Sequence, residues 1–146
     1  MNITASGLTA QQLRLDVISE NVTNSTTTRV QNGEGSYRRK MVVFEAKTGR
    51  DGFRRAMARA SSGMVPNGRA SGGVRVAQIV DDPSPMKLVY DPTHPDANED
   101  GYVEMPNVDM VKEITDAMAA TQAYSANVTM FNTMKAVISD GLQIGK

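Results

Sequence analysis

The chain has 146 residues, enough for one domain with its own core, and sixteen Lys/Arg balance sixteen Asp/Glu. No overall field therefore selects nucleic acid or an anionic membrane. Cysteine is absent, which excludes disulfides and thiolate chemistry, and no run approaches the ~20 apolar residues of a membrane-spanning helix.

The opening stretch reads as a helix with two apolar faces. Leu8, Leu15, Ile18 and Val22 fall on one, and Ile3, Ala10, Leu13 and Val17 on the other. A helix of that kind needs more than one neighbour. Thr9-Ala-Gln-Gln12 has capping-box spacing for the later turns. The Asn/Thr-rich run at 21–28 ends the helix, because those side chains compete for backbone hydrogen bonds. The start lacks the charged and apolar regions of a cleaved secretory signal and is not read as one.

The middle changes character. Residues 41–44, within 37–45, form an expected strand. Six glycines and one proline in 47–73 mark a loop-like excursion, with a helical turn expected at 53–60. Residues 74–80 and 86–90 read as two strands paired through the proline-rich link 81–85, and 102–105 as a further short strand.

Residues 107–140 contain neither glycine nor proline. Ile114, Ala117, Tyr124, Val128, Phe131, Ile138 and Leu142 recur at alternating steps of three and four, with Thr121 and Lys135 filling the remaining places. Such a helix runs roughly 50 Å at 1.5 Å per residue. Asn107 is placed to cap it, with Asp109 and Glu113 near its positive end. The expected fold is α+β: long terminal helices pairing as an antiparallel, coiled-coil-like α-domain, with a small β-rich domain inserted. The expected division is 1–28, 29–106 and 107–146.

Charge is segregated along the chain. Residues 29–59 hold nine Lys/Arg against three Asp/Glu, and residues 81–116 hold ten Asp/Glu against two Lys. These blocks are suited to meet within one molecule or between neighbours. Chemical motifs are weak. Asp96, Asn98, Asp100 and Gly101 match the opening half of an EF-hand calcium loop, but position twelve is Asn107 and Pro92 and Pro95 preclude an entering helix. A small calcium- or ligand-binding domain at residues 81–100 is the competing reading. His94 is the single histidine and is expected to bond a nearby carboxylate. The acids Asp81, Asp82, Asp91 and Asp96 offer a raised-pKa pair or, more simply, solvated turns. Arg38-Arg-Lys40 and Arg54-Arg55 lack the recognition helix, metal finger or aromatic ladder of a nucleic-acid module. No catalytic residue, cofactor or metal ligand is assigned, and the chain reads as non-enzymatic.

The terminal helices carry the functional expectation instead. A two-helix hairpin leaves much of their apolar surface wet, because the second helix is about twelve residues longer and the first is apolar on two faces. Leu8, Leu15, Ile18, Val22, Ile114, Tyr124, Val128, Phe131, Ile138 and Leu142 are the expected assembly contacts. Asn21, Asn24 and Asn107 are expected to shape the junction between domains.

Particular stretches then carry a resemblance. Ala5-Ser-Gly-Leu-Thr-Ala10, Leu13-Arg-Leu-Asp-Val-Ile-Ser19 and Asn21-Val-Thr-Asn24 resemble the signature of the bacterial flagellar axial family of rod, hook and filament-joining proteins. Tyr37-Arg-Arg-Lys-Met-Val-Val-Phe-Glu45, the stretch from Asp82-Pro-Ser-Pro-Met to Asp96-Ala97, and Gly101-Tyr-Val-Glu-Met-Pro-Asn-Val108 are similar to its proximal-rod branch. Tyr124-Ser-Ala-Asn-Val128 and Leu142-Gln-Ile-Gly145 complete it. Thr23 stands where alanine is usual, Ser125 where glutamate is usual, and the family commonly has residues before Asn2.

The resemblance implies a structural subunit of the basal-body rod, needed for motility. It implies passage through the flagellar type III export apparatus, helical assembly in the periplasm around the export channel, and transmission of motor torque to the hook. The implied partners are other copies of the chain, the rod proteins FlgB and FlgF, and FliE at the export-gate end. Neither nucleic acid nor direct membrane insertion is implied.

Overall fold

A computed structural model of the chain describes residues 2–30, 35–47 and 72–144. In chain order the elements are helix α1 (Asn2–Thr23), strands β1 (Lys40–Ala46), β2 (Val74–Asp81), β3 (Lys87–Tyr90) and β4 (Tyr102–Met105), and helix α2 (Met110–Ile144). The architecture is α+β, with two terminal helices flanking a small antiparallel β section.

The helices pair antiparallel. Gly7 of α1 lies against Asn127 of α2, Arg14 bonds Asp116, and Asn21 bonds Glu113. The approach is close at position 7: a Cβ there would sit 3.1 Å from the Asn127 amide nitrogen, and that side chain would have to give by a few tenths of an ångström. At 22 and 35 residues the helices measure about 33 and 52 Å. Their pairing leaves roughly ten residues of α2 running on past Asn2, a length that follows from the same rise per residue.

The face of α2 turned inward matches the apolar seam expected from spacing only in part, at Ala117, Tyr124, Val128 and Phe131. Glu113 and Ala120 are fully buried at 0% exposure, and Asp116, Ala117, Ala123, Tyr124, Asn127, Val128, Phe131 and Met134 are half-buried. Ile114, Thr121 and Lys135, all on the expected seam, lie exposed. The helix is therefore rotated so that a carboxylate is buried and an isoleucine is not. Polar partners waiting beneath Glu113 explain the preference. The second apolar face of α1 finds its neighbour in the β section: Ala10 and Val17 are buried, and Ala10 and Leu13 line a cleft shared with Val74 and Val76.

The strands form two separate pairs. β1 pairs with β2 from Lys40↔Asp81 to Ala46↔Val74, with a bulge between Val43 and Phe44. β3 pairs with β4 from Lys87↔Met105 to Tyr90↔Tyr102. The hairpin expected between 74–80 and 86–90 does not form. Asp82 holds the link elsewhere: its N–H donates to Arg39 O (2.8 Å), and its Oδ1 accepts from the Ser84 N–H (2.9 Å) and hydroxyl (2.6 Å).

Two local expectations are also corrected. Thr9 lies inside α1, which starts at Asn2, and its hydroxyl donates back to Ala5 O (3.2 Å) rather than capping a first turn. Asp109, not Asn107, caps α2, accepting the Val111 N–H at its side chain (3.1 Å) and the Glu113 N–H at its carbonyl (2.9 Å). The glycine-rich 48–71 stretch and the helical turn expected at 53–60 lie outside the described residues.

Candidate functional site

Two of the largest fully buried side chains among the described residues are polar. The fully buried large side chains are Glu113, Val103, Asn21 and Pro106. Asn21, near the end of α1, spends its whole hydrogen-bonding capacity. Its amide N–H groups donate to Lys40 O (2.9 Å) and Glu113 Oε2 (3.1 Å), and its Oδ1 accepts from the Tyr37 hydroxyl (2.9 Å) and the Lys40 N–H (2.9 Å). One residue thus joins α1, the entry to β1, and α2.

Arg39 makes the second joint. Nε donates to Glu113 Oε1 (2.6 Å), Nη1 to Asp82 Oδ2 (3.2 Å) and Nη2 to Asp116 Oδ2 (3.3 Å). Its backbone N–H donates to Asn107 Oδ1 (2.8 Å). Asn107 in turn donates to the Asp82 (3.2 Å) and Ser84 (3.1 Å) carbonyls. Arg14 of α1 reaches the other Asp116 oxygen (3.2 Å), so two arginines share the α2 carboxylates. Part of the basic block thereby meets the acidic block inside one molecule, and Arg29 with Asp96 adds a further exposed pair.

The electrostatics follow from this packing. Burial pushes the Tyr37 phenol up to about 12, helped by the negative charge of Glu20, Asp81 and Glu113. The Ser84 hydroxyl and N–H hold the Asp82 carboxyl below its ordinary range, with Arg39 contributing against the cost of burial. Burial works against the Arg39 cation, but the Glu113 bond and the Glu113 and Asp82 charges more than offset it. A buried pair of this kind adds little net stability over an apolar one. Removing one partner strands the other and costs about 3–5 kcal/mol. The arrangement suits a stiff joint, its polar atoms committed to one another.

The expected junction residues are placed as follows. Asn21 and Asn107 lie at the joint, whereas Asn24 closes α1 by donating to Glu20 O (2.9 Å) and accepting from Thr27 (3.2 Å). Arg39, Glu113, Tyr37, Asp82 and Asp116 were not singled out from sequence as junction residues. Of the expected assembly contacts, Ile18 is interior at 7% exposure. Leu8, Leu15, Val22, Tyr124, Val128 and Phe131 are half-buried. Ile114, Ile138 and Leu142 are exposed, the last at 71%, and Val137 and Met118 lie open with them.

The acidic turn is organised by its own backbone. Asn98 Oδ1 accepts from the Asp100 (3.1 Å) and Tyr102 (2.8 Å) N–H groups, and Gly101 takes a positive φ of 79°. Asp96 accepts from Thr28 and Arg29, which holds its carboxyl low; Asp91 is lowered by Thr93. Asp82, Asp91 and Asp96 are thus all shifted down, against the raised-pKa alternative and in keeping with turn residues. His94 Nδ1 accepts the Asp96 N–H (3.1 Å) instead of bonding a carboxylate. Among the described residues, no three His, Asp or Glu side chains converge as a metal site.

Residues 1–30 match the family model described as flagella basal body rod protein. Residues 99–144 match the model described as flagellar basal body rod FlgEFG protein C-terminal. The chain is 45% identical to the flagellar basal-body rod protein FlgC of Bacillus subtilis, over 100% of this chain and 96% of that one. It is 40% identical to that of Borreliella burgdorferi (99% and 94% covered) and 37% to that of Escherichia coli O157:H7 (99% and 95%).

Proposed function

We propose a mechanism from one premise: the chain belongs to the FlgC family of flagellar basal-body rod proteins and is a structural subunit of the rod. Its work is mechanical rather than catalytic. Copies assemble helically in the periplasm around the export channel, having left the cytoplasm through the type III apparatus without a cleaved signal. Neighbouring subunits are further copies, FlgB and FlgF, with FliE at the export-gate end, and torque passes through them towards the hook.

The observation that carries this reading is the uncovered end of α2. Val137 (64%), Ile138 (50%) and Leu142 (71%) are exposed on a helix that has outrun its intrachain partner. Burying an exposed aliphatic side chain is worth about 1.5–3 kcal/mol. A subunit that leaves several of them open gains that free energy on packing against its neighbours. Ile114 is exposed nearer the start of α2, and the half-buried Leu8, Leu15, Val22, Tyr124, Val128 and Phe131 flank the helix pair. Ile18 contributes from inside, by holding α1 in place.

The test is complementation. Leu142→Asp in a strain lacking the native gene should abolish swimming while the purified variant keeps wild-type helicity and solubility. Full motility with Leu142→Asp and Ile138→Asp together would remove this end of α2 from the mechanism.

A further inference from the structure

We propose that the outward face of β3 and β4 is a docking surface for a second copy of this chain, which engages it through the arginine-rich stretch at residues 50–59. The inference rests on the rod-subunit reading and adds a contact on the β side to the helix packing described above.

The face is apolar and open. Cross-strand pairing sets Leu88 beside Glu104 and Tyr90 beside Tyr102, on the side of the sheet opposite the buried Val103. Leu88 and Tyr90 are 64% and 65% exposed. The two tyrosine rings meet edge to face at 5.2 Å, and Gly101 leaves room for Tyr90, since a Cβ there would come within 3.0 Å of that ring. The surface is thus held in shape before any partner arrives. Three exposed carboxylates adjoin it in register or sequence: Glu104 pairs with Leu88, and Glu99 and Asp100 lead into Gly101 and Tyr102. An aromatic face with adjoining carboxylates fits a segment that carries both aliphatic or aromatic groups and guanidinium cations.

The chain itself supplies that chemistry. Residues 50–59 hold four arginines and one aspartate around Phe53 and Met57. The stretch is rooted far from the face. Lys47 bonds Gly73 (2.8 Å), and Val74 bonds the Ser6 hydroxyl (3.1 Å), beside the first turns of α1. The β3–β4 end is tied instead to Thr28 and Arg29 through Asp96, beyond the last turn of α1. Ser6 and Thr23 are separated by about 25 Å of helix. Because the basic stretch is anchored that far from the acidic face, their pairing between copies favours a head-to-tail contact, the heterologous kind that propagates rather than closes.

Because the chain has no cysteine, the contact can be trapped in full-length protein. Phe53→Cys and Leu88→Cys are made in separate chains, mixed at low salt, and treated with a short bismaleimide. The Leu142→Asp background separates this contact from helix-driven assembly. The expected result is a covalent dimer of the two different chains. Reversing Glu99, Asp100 and Glu104 to lysine, or adding ~0.5 M salt, should lower its yield about tenfold. No yield above that of a control pair, Phe53→Cys with the exposed Val111→Cys, overturns the proposal. So does crosslinking confined to a single chain carrying both cysteines. A dimer that persists in Leu142→Asp while swimming is lost leaves the docking surface standing and assigns the motility defect to α2.

Discussion

The joint around Arg39 and the far end of α2 invert the usual distribution of polarity. At the joint, a carboxylate with 0% exposure, a fully bonded asparagine and a guanidinium lie inside. At the end of α2, valine, isoleucine and leucine lie outside. Burying polar groups stabilises weakly but specifies geometry, because each group tolerates only a narrow set of partners. Exposing apolar groups stabilises nothing in the monomer and makes association favourable. The chain's own shape thus rests on polar bonds at the joint, while apolar surface stays open at the end of α2.

Substitutions at the two regions should separate these roles. Glu113→Ala strands the Arg39 and Asn21 donors and should lower unfolding free energy by about 3–5 kcal/mol in urea denaturation. A loss under 1 kcal/mol would mean that the joint is not what holds the helices. Asn21→Ala leaves the Lys40 N–H and C=O without their side-chain partner and should cost about 1–3 kcal/mol in the same assay.

Acid and alkali should act on the joint and leave the end of α2 indifferent. The carboxyl of Asp82 is held low in the folded state, so its contribution is complete above the ordinary carboxylate range and fades as pH falls below about 4. Tyr37 is raised to about 12, so its contribution is complete below about 10 and fades between there and 12. Circular dichroism against pH should show both edges, and replacing Tyr37 with Phe should remove the alkaline one. Smallest of all, Leu142→Asp should shift monomer stability by no more than about 0.5 kcal/mol. Its effect appears in swimming, and a large loss of monomer stability would place Leu142 in the core.

The helices were legible in the sequence because their apolar residues repeat at short spacing, and so were the four strands, each carrying β-branched or aromatic residues. Rotation of α2 was not. Spacing ranks Ile114 above Glu113 as an inward residue, and only Arg39, 74 positions away in sequence, reverses that ranking. The hairpin expected across residues 81–85 failed for a related reason: Asp82 finds its partners on the Arg39 backbone and side chain, which no local pattern displays. Asn107 reads as a helix cap because caps are asparagines, yet its amide is used by Arg39, Asp82 and Ser84, leaving the cap to Asp109. Long-range polar pairing is where sequence reading ran out.

Since Asn21 and Arg39 bind both helices to the β section at the same level, a pull applied there is divided between two parallel struts. Neither strut can be peeled from the other one hydrogen bond at a time; both must shear together along their common length, the loading direction in which a lap joint is strongest.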